Sequence, residues 1–335
     1  MTKILNIAVD AMGGEGSPKK TIDGIIHHSK STKNINYNIF GDEEELNKLI
    51  KDLKGNNFKI FNTKDKILDT DTPLTAARKG KNSSMWKAIE SVKSKESDII
   101  ISAGNTGALF VIAKMNLEMI ENIDKPALSA LWPNKSGMNV VLDLGANIEC
   151  SEKNLTDFAI MGSSLFKALF PNVEAKVALL NIGSEELKGN ETIKGAYKIL
   201  SEKKKNSEFN FAGYIEGNNI MSGDVNVIVT DGFTGNIALK TAEGTANFIM
   251  KEVKNSMTSN LYGKVLSFLN IKNLKKVKDK LDPRLYNGAI LIGLNSPVVK
   301  SHGSTDHIGF SNSLKVCEKI INGNLIEKIK KNISS

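Results

Sequence analysis

The sequence predicts an α/β protein, a three-layer α/β/α sandwich around a mostly parallel sheet, on three observations. Short apolar, β-branched runs recur along the chain, helical patterns fill the spaces between them, and several runs end in loops of glycine, asparagine and threonine. The strand-like runs are residues 4–9, 37–40, 58–61, 98–101, 140–144, 177–182, 225–230 and 289–294. Parallel neighbours need long crossovers, and helices are the usual crossover. Met85, Ile89 and Val92 fall at i, i+4 and i+7, and Phe158, Met161 and Leu165 at i, i+3 and i+7. Each set is one helical face turned to a core. Ser17-Pro18 reads as an N-cap followed by proline at the first helical position, and Asn105, Asn190 and Thr234 are cap-type residues before helical runs. Residues 330–335 are expected to fray.

With 335 residues, 40% hydrophobic and 24% charged, the chain can bury a large core. One α/β catalytic domain over 1–335 is expected, built on a broad sheet and carrying an amphipathic helical insertion at 255–285. Cys150 and Cys317 lie far apart without metal-ligand spacing, as in a reduced cytoplasmic protein. The N-terminal residues run into a strand pattern rather than a secretion signal, and no apolar run approaches the ~20 residues that span a bilayer. Lys+Arg 45 against Asp+Glu 37 leaves +8, which suits phosphate-bearing substrates, acidic proteins or anionic membranes. Lysine and asparagine abound throughout, so the sign alone does not choose. No nucleic-acid module is recognisable.

Five segments share one design, an apolar strand running into small polar residues. They are Asp10-Ala11-Met12-Gly13-Gly14, Ser102-Ala103-Gly104-Asn105-Thr106-Gly107, Asp143-Leu144-Gly145-Ala146-Asn147, Asn181-Ile182-Gly183-Ser184-Glu185-Glu186 and Asp231-Gly232-Phe233-Thr234-Gly235-Asn236. Ligands of open α/β sheets bind outside the carboxyl ends of strands, so these loops are expected to converge on one site. Glycine lets backbone approach an anion, while Asn and Thr supply neutral donors. Each loop alone is equally a tight turn feeding a capped helix. Asp10 and Asp231 are expected to orient loop donors rather than act as bases.

The chemistry narrows by what is missing. There is no GxGxxG in the first loop, no GxxxxGK[ST] and no GxSxG. The histidines His27, His28, His302 and His307 form no metal motif, and no cofactor is expected. His27-His28 is expected on a helix surface. A reaction whose substrate brings its own nucleophile fits, namely attack of phosphate on an acyl thioester, with position and charge stabilisation supplied by the protein. Lys188 is a candidate phosphate or oxyanion partner, or else a solvated lysine. His302 can bind phosphate, shuttle a proton or be structural.

Taken in order, Ala8-Val9-Asp10-Ala11-Met12-Gly13-Gly14, Ser102-Ala103-Gly104-Asn105-Thr106-Gly107-Ala108-Leu109, Leu180-Asn181-Ile182-Gly183 with Lys188-Gly189-Asn190, Asp231-Gly232-Phe233-Thr234-Gly235-Asn236 and His302-Gly303-Ser304 resemble the PlsX family. These are bacterial phosphate acyltransferases, acyl-[acyl-carrier-protein]:phosphate transacylases. The resemblance implies a fold like that of phosphotransacetylases and isocitrate-type dehydrogenases, and a homodimer. It also implies acyl carrier protein as donor, inorganic phosphate as acceptor, and an acyl phosphate passed to a downstream membrane acyltransferase for phospholipid synthesis. On the matching positions Lys188, Asn236 and His302 are the catalytic candidates. The substrate-binding ones are Asp10, Gly13, Gly14, Asn105, Thr106, Asn147, Asn190, Asp231 and Thr234. Arg78, Lys81, Ser83 and Ser84 match too, and suit a phosphate or the carrier's phosphopantetheine arm. Lys125, Asn218-Asn219 and Asn287 depart from the family's usual Arg, Arg-Asp and Gly. The rival readings are a phosphotransacetylase-like enzyme using acyl-coenzyme A and a noncatalytic acyl-carrier or membrane scaffold.

Leu261, Val265, Phe268 and Leu269 fall at i, i+4, i+7 and i+8, and Lys272, Lys275, Lys276, Lys278 and Lys280 surround Leu274, Val277 and Leu281. An amphipathic helical hairpin of this kind can lie in an anionic membrane interface. The same pattern serves a helix pair packed on a dimer partner. The resemblance favours a cytoplasmic protein with peripheral membrane contact.

Overall fold

The computed structural model describes residues 4–52, 57–203, 208–280 and 282–334. Among them, eleven strands form one sheet: β1 (Leu5–Asp10), β2 (Ile35–Gly41), β3 (Phe58–Asn62), β4 (Ile99–Ser102), β5 (Ala127–Pro133), β6 (Met138–Leu142), β7 (Lys176–Asn181), β8 (Asn210–Glu216), β9 (Val227–Val229), β10 (Ala289–Ile292) and β11 (Val298–Lys300). The order across the sheet is β3-β2-β1-β4-β11-β10-β5-β6-β9-β7-β8. Neighbours pair in parallel except at β11–β10, β10–β5 and β5–β6. Three reversals are an odd number. The block β3-β2-β1-β4-β11 therefore runs opposite to the block β6-β9-β7-β8.

Twelve α-helices accompany the described strands. They are α1 (Lys19–Ser29), α2 (Glu43–Leu49), α3 (Pro73–Lys79), α4 (Ser84–Lys93), α5 (Thr106–Leu117), α6 (Glu152–Leu169), α7 (Glu191–Lys203), α8 (Gly232–Met257), α9 (Leu261–Leu269), α10 (Ile271–Lys280), α11 (His307–Asn322) and α12 (Leu325–Ile333). Strand residues alternate between faces, so the two faces have separate cores. On one face Ile7, Ile99, Val140, Val177 and Val227 join Phe158, Phe310 and Ile329 in one continuous core across the sheet. The other face is divided. Ala8, Ile100, Leu291 and Val298 pack under Met85, Ile89 and Leu109, whereas Val141, Ala178 and Ile228 pack separately, with Leu239 and Ala242 of α8 against them.

The helical stripes at 85/89/92 and 158/161/165 are buried as expected. Three strands escaped the sequence pattern. β8 alternates buried with open residues, and its register shifts between Val177 and Leu179 of its partner, with Gly213 at φ +88. β11 is three residues long, and β5 is an antiparallel strand ending in Pro133. Several local expectations are corrected. Ser17 does not cap α1, because its hydroxyl donates to Gly13 O at 2.6 Å and Pro18 stands at the cap position. Asp231 rather than Thr234 caps α8, accepting from Thr234 N. His27 is exposed but His28 is buried, its Nδ1 2.8 Å from the Tyr37 hydroxyl. Residues 330–333 are helical, with Ile329 fully buried before them, while Ser335 and Leu281 lie outside the described residues.

Phe158 sits wholly buried in the continuous core. Phe158→Ala is expected to destabilise the protein by about 3–5 kcal/mol, read as a lower urea midpoint.

Candidate active site

The two sheet blocks run in opposite directions, so the glycine-rich loops fall into two clusters rather than the one expected. Those after β1, β4 and β11 belong to the first cluster, and those after β6, β7 and β9 to the second.

Asp10 anchors the first cluster. Its carboxylate is 1% exposed and accepts the hydroxyls of Ser84 and Ser102, each at 2.6 Å. Burial raises its pKa, and those two bonds oppose the rise. Ser102 also accepts Gly104 N at 3.0 Å, tying the β4 loop to the same carboxylate. A Cβ on Gly13 would stand 2.6 Å from Gly104 N. Only glycine lets these backbones meet. Gly14, at φ +84, lies between the carbonyls of Ala103 and Gly303.

Asp143 has the corresponding post in the second cluster. Fully buried, it accepts Leu128 N, Ala146 N and Asn147 N, and the Asn147 amide at 2.8 Å. Burial raises its pKa as well. Asp231 holds Thr234 through both backbone and hydroxyl, so it orients a helix start as expected. Asn236 donates to Leu144 O at 3.1 Å and packs over Gly145.

Between the divided cores runs an apolar groove of about 290 Å³. Leu109 and Phe110 of α5 form one wall, and Leu128 and Leu291 lie in the floor. Thr106, Gly107 and Lys300 come from the first cluster and Gly145 and Ala146 from the second, so both contribute to one cleft. Lys300 Nζ donates to the carbonyls of Ala103 and Ser301. Burial, reinforced by the charge of Lys20, brings its pKa down to about 8. His302 places its Nδ1 3.0 Å from the Ser304 hydroxyl, and its backbone N–H donates to Asn287 Oδ1. Loss of hydration first, then Lys300 and Lys240, holds its pKa below the usual imidazole value. Lys240 belongs to α8, so the helix that starts in the second cluster carries a charge that acts on His302.

The other expected residues divide by what their side chains already do. Asn105 caps α5 through Ala108 N, and its amide donates to Asp71 O at 2.9 Å and Asp69 O at 3.2 Å, so it clamps the loop before α3. Asn147 likewise spends its amide on Pro126 O and Asp143. Ser83 is a buried N-cap of α4, and Asn190 accepts Ile193 N at the start of α7. Arg78, Lys81 and Lys188 are exposed. Lys188 stands on the β7 loop, whose Asn181 amide donates to Lys188 O. Lys20 and Lys300 were not singled out from the sequence, and Ser102 and Asp143 stood there only as the first residues of two loops, with no role of their own. Lysines have no spacing signature, and a serine becomes legible only once its carboxylate partner is placed beside it.

A two-block sheet with a polar-ended cleft on its divided face defines a protein of the phosphotransacetylase architecture. A phosphotransacetylase from Streptococcus pyogenes superposes with TM-score 0.64 over 98% of this chain and 95% of its own, at 16% identity. The EutD phosphotransacetylase of Staphylococcus aureus gives 0.63 over 95% and 94%, also at 16% identity. In sequence, residues 5–328 match the family described as "Fatty acid synthesis protein". The phosphate acyltransferase of Pelagibacter ubique (strain HTCC1062) is 69% identical over 333 residues, covering 99% of this chain and 100% of its own. That of Maricaulis maris (strain MCS10) is 42% identical over 342 residues, 99% and 96%. The chain belongs to this family, PlsX, and is an acyltransferase of fatty acid and phospholipid synthesis.

Gly235 packs so closely that a Cβ would stand 1.9 Å from Asp143 O. Gly235→Ala is expected to cost about 3 kcal/mol in urea unfolding and to abolish acyl transfer, because it displaces the Asp143 loop from the groove.

Proposed function

We propose that the chain moves a fatty acyl group from acyl-[acyl-carrier-protein] to inorganic phosphate, giving acyl phosphate and the free carrier thiol. The phosphate oxygen bonds to the carbonyl carbon, the carbon–sulfur bond breaks, and the thiolate leaves and takes a proton. The observation that supports this reading best is the groove itself. Its apolar bed suits an acyl chain, and its charged and glycine-lined ends suit a thioester carbonyl and an oxyanion. This bed also favours a fatty acyl donor over the short-chain coenzyme A rival. Asn236 and His302, from opposite clusters, serve the carbonyl oxygen and the departing thiolate. His302 in its neutral form can relay a proton. Lys188 meets developing negative charge from the second cluster. Thr106 and the backbone of Gly13, Gly14, Asp231 and Thr234 line the substrate path, and Asp10, Asn105, Asn147 and Asn190 hold those loops in place. Arg78, Lys81 and the Ser83 turn receive the carrier's arm.

Beyond its first turns α8 leaves the body. Phe248 is 65% and Ile249 52% exposed, and these residues are proposed to pack on a second copy of the chain. In α9 Leu261, Val265, Phe268 and Leu269 are all exposed, with Lys264 beside them and Lys272, Lys275, Lys276 and Lys280 on α10. Residues 255–285 are proposed as the part of the 1–335 catalytic unit that visits an anionic membrane, where a membrane acyltransferase takes the product. No described helix is long and apolar enough to cross a membrane.

Purified protein, long-chain acyl carrier protein and phosphate should yield hydroxylamine-reactive acyl phosphate. Val111→Trp, at the half-exposed groove wall, should lower kcat/KM for a long-chain donor by roughly tenfold, ~1.4 kcal/mol, and spare a short-chain donor. No phosphate-dependent product would end the proposal. Binding to anionic vesicles should weaken with salt and with Phe268→Asp or Leu269→Asp, measured by co-sedimentation. Undiminished binding by both variants would remove α9 from this role.

A further inference from the structure

We propose that Lys20 and Lys300, on either side of Gly14, hold the inorganic phosphate. This assignment rests on the acyl-transfer reading and specifies where its acceptor sits. Lys20, in the first turn of α1, is only 8% exposed, and its Nζ donates to Gly303 O at 2.6 Å. Lys300 Nζ donates to Ala103 O at 3.2 Å. Those two carbonyls are the ones that enclose Gly14. The ammonium groups therefore share one small region of backbone.

Their partners are carbonyls alone. Among the described residues no carboxylate oxygen lies within 4.0 Å of either ammonium, although Glu15, Asp69 and Asp10 act on them from farther away. Two ammonium groups held close together, one of them buried, are costly without an anion between them. A phosphate dianion supplies that charge and accepts the N–H bonds the carbonyls leave unused. The surroundings give it a route. Lys20 lines an open depression with Ser304 and Thr305, whose rim also carries the carboxylates of Glu15, Asp23 and Asp306, while Lys300 lines the apolar groove. A phosphate entering from the depression reaches the pair beside the end of the chain-binding groove.

Lys300 also gives the site a pH dependence. It faces Asp10 at the end of β1, Lys20 on α1, Asp69 before α3 and His302 on its own loop. Its ammonium loses its proton near pH 8, so phosphate affinity falls above that value.

The test is the acyl-phosphate assay with KM measured separately for phosphate and for acyl carrier protein. Lys20→Met and Lys300→Met should each raise the phosphate KM about tenfold and leave the donor KM within about twofold. Lys300→Arg should recover most of the affinity and lose the rise in KM above pH 8. Lys48→Met, at an exposed lysine on α2 away from both cavities, should change neither constant. An unchanged phosphate KM in folded Met variants would overturn the assignment. So would a rise confined to the donor KM, which would place the pantetheine phosphodiester there, or an alkaline limb unchanged in Lys300→Arg. Failure of the underlying reaction shows differently, as wild-type protein that makes no acyl phosphate yet binds inorganic phosphate by calorimetry more tightly than Lys20→Met.

Discussion

Three antiparallel pairings at the centre of the sheet govern everything above it. A sheet parallel throughout would put every strand end at one edge and cover both faces evenly with crossover helices. Here β10 and β5 reverse the direction. The crossover helices of the two blocks then leave a seam on one face, where Leu128 and Leu291 floor a groove instead of a closed core. The opposite face stays continuous from Ile7 to Val227 and packs residues of both blocks into one core.

The seam needs precise edges, and buried carboxylates supply them. Removing a carboxylate from water is costly, and the cost is met only when its oxygens are saturated with donors. Asp10 takes two hydroxyls and Asp143 takes backbone N–H groups along its own loop. Each therefore fixes the path of a glycine-rich turn. On the proposed reading the chemistry falls to the lysines and the imidazole of His302.

How much of this the sequence disclosed depends on range. Local periodicity showed the core faces of α4 and α6, and the turn chemistry of Asn105 and Asn190 marked helix starts that the structure contains. The ordered glycine loops carried the family. Strand direction is not local. Nothing in Ala127–Pro133 says which way its neighbour runs, so the loops expected to lie together form two clusters that meet across one groove. The same limit hid Lys20 and Lys300, which lie 280 positions apart and come together only in the fold, through the carbonyls beside Gly14. Asn287, noted as a departure from the family pattern, turns out to hold the backbone of His302.

The most direct measurement is a crystal structure with a long-chain acyl phosphonate, a stable stand-in for acyl phosphate. The account predicts the phosphonate between Lys20 and Lys300 and the chain along Leu109, Leu128 and Leu291. A phosphonate at Lys188, or a chain lying outside the seam between the two cores, would contradict it.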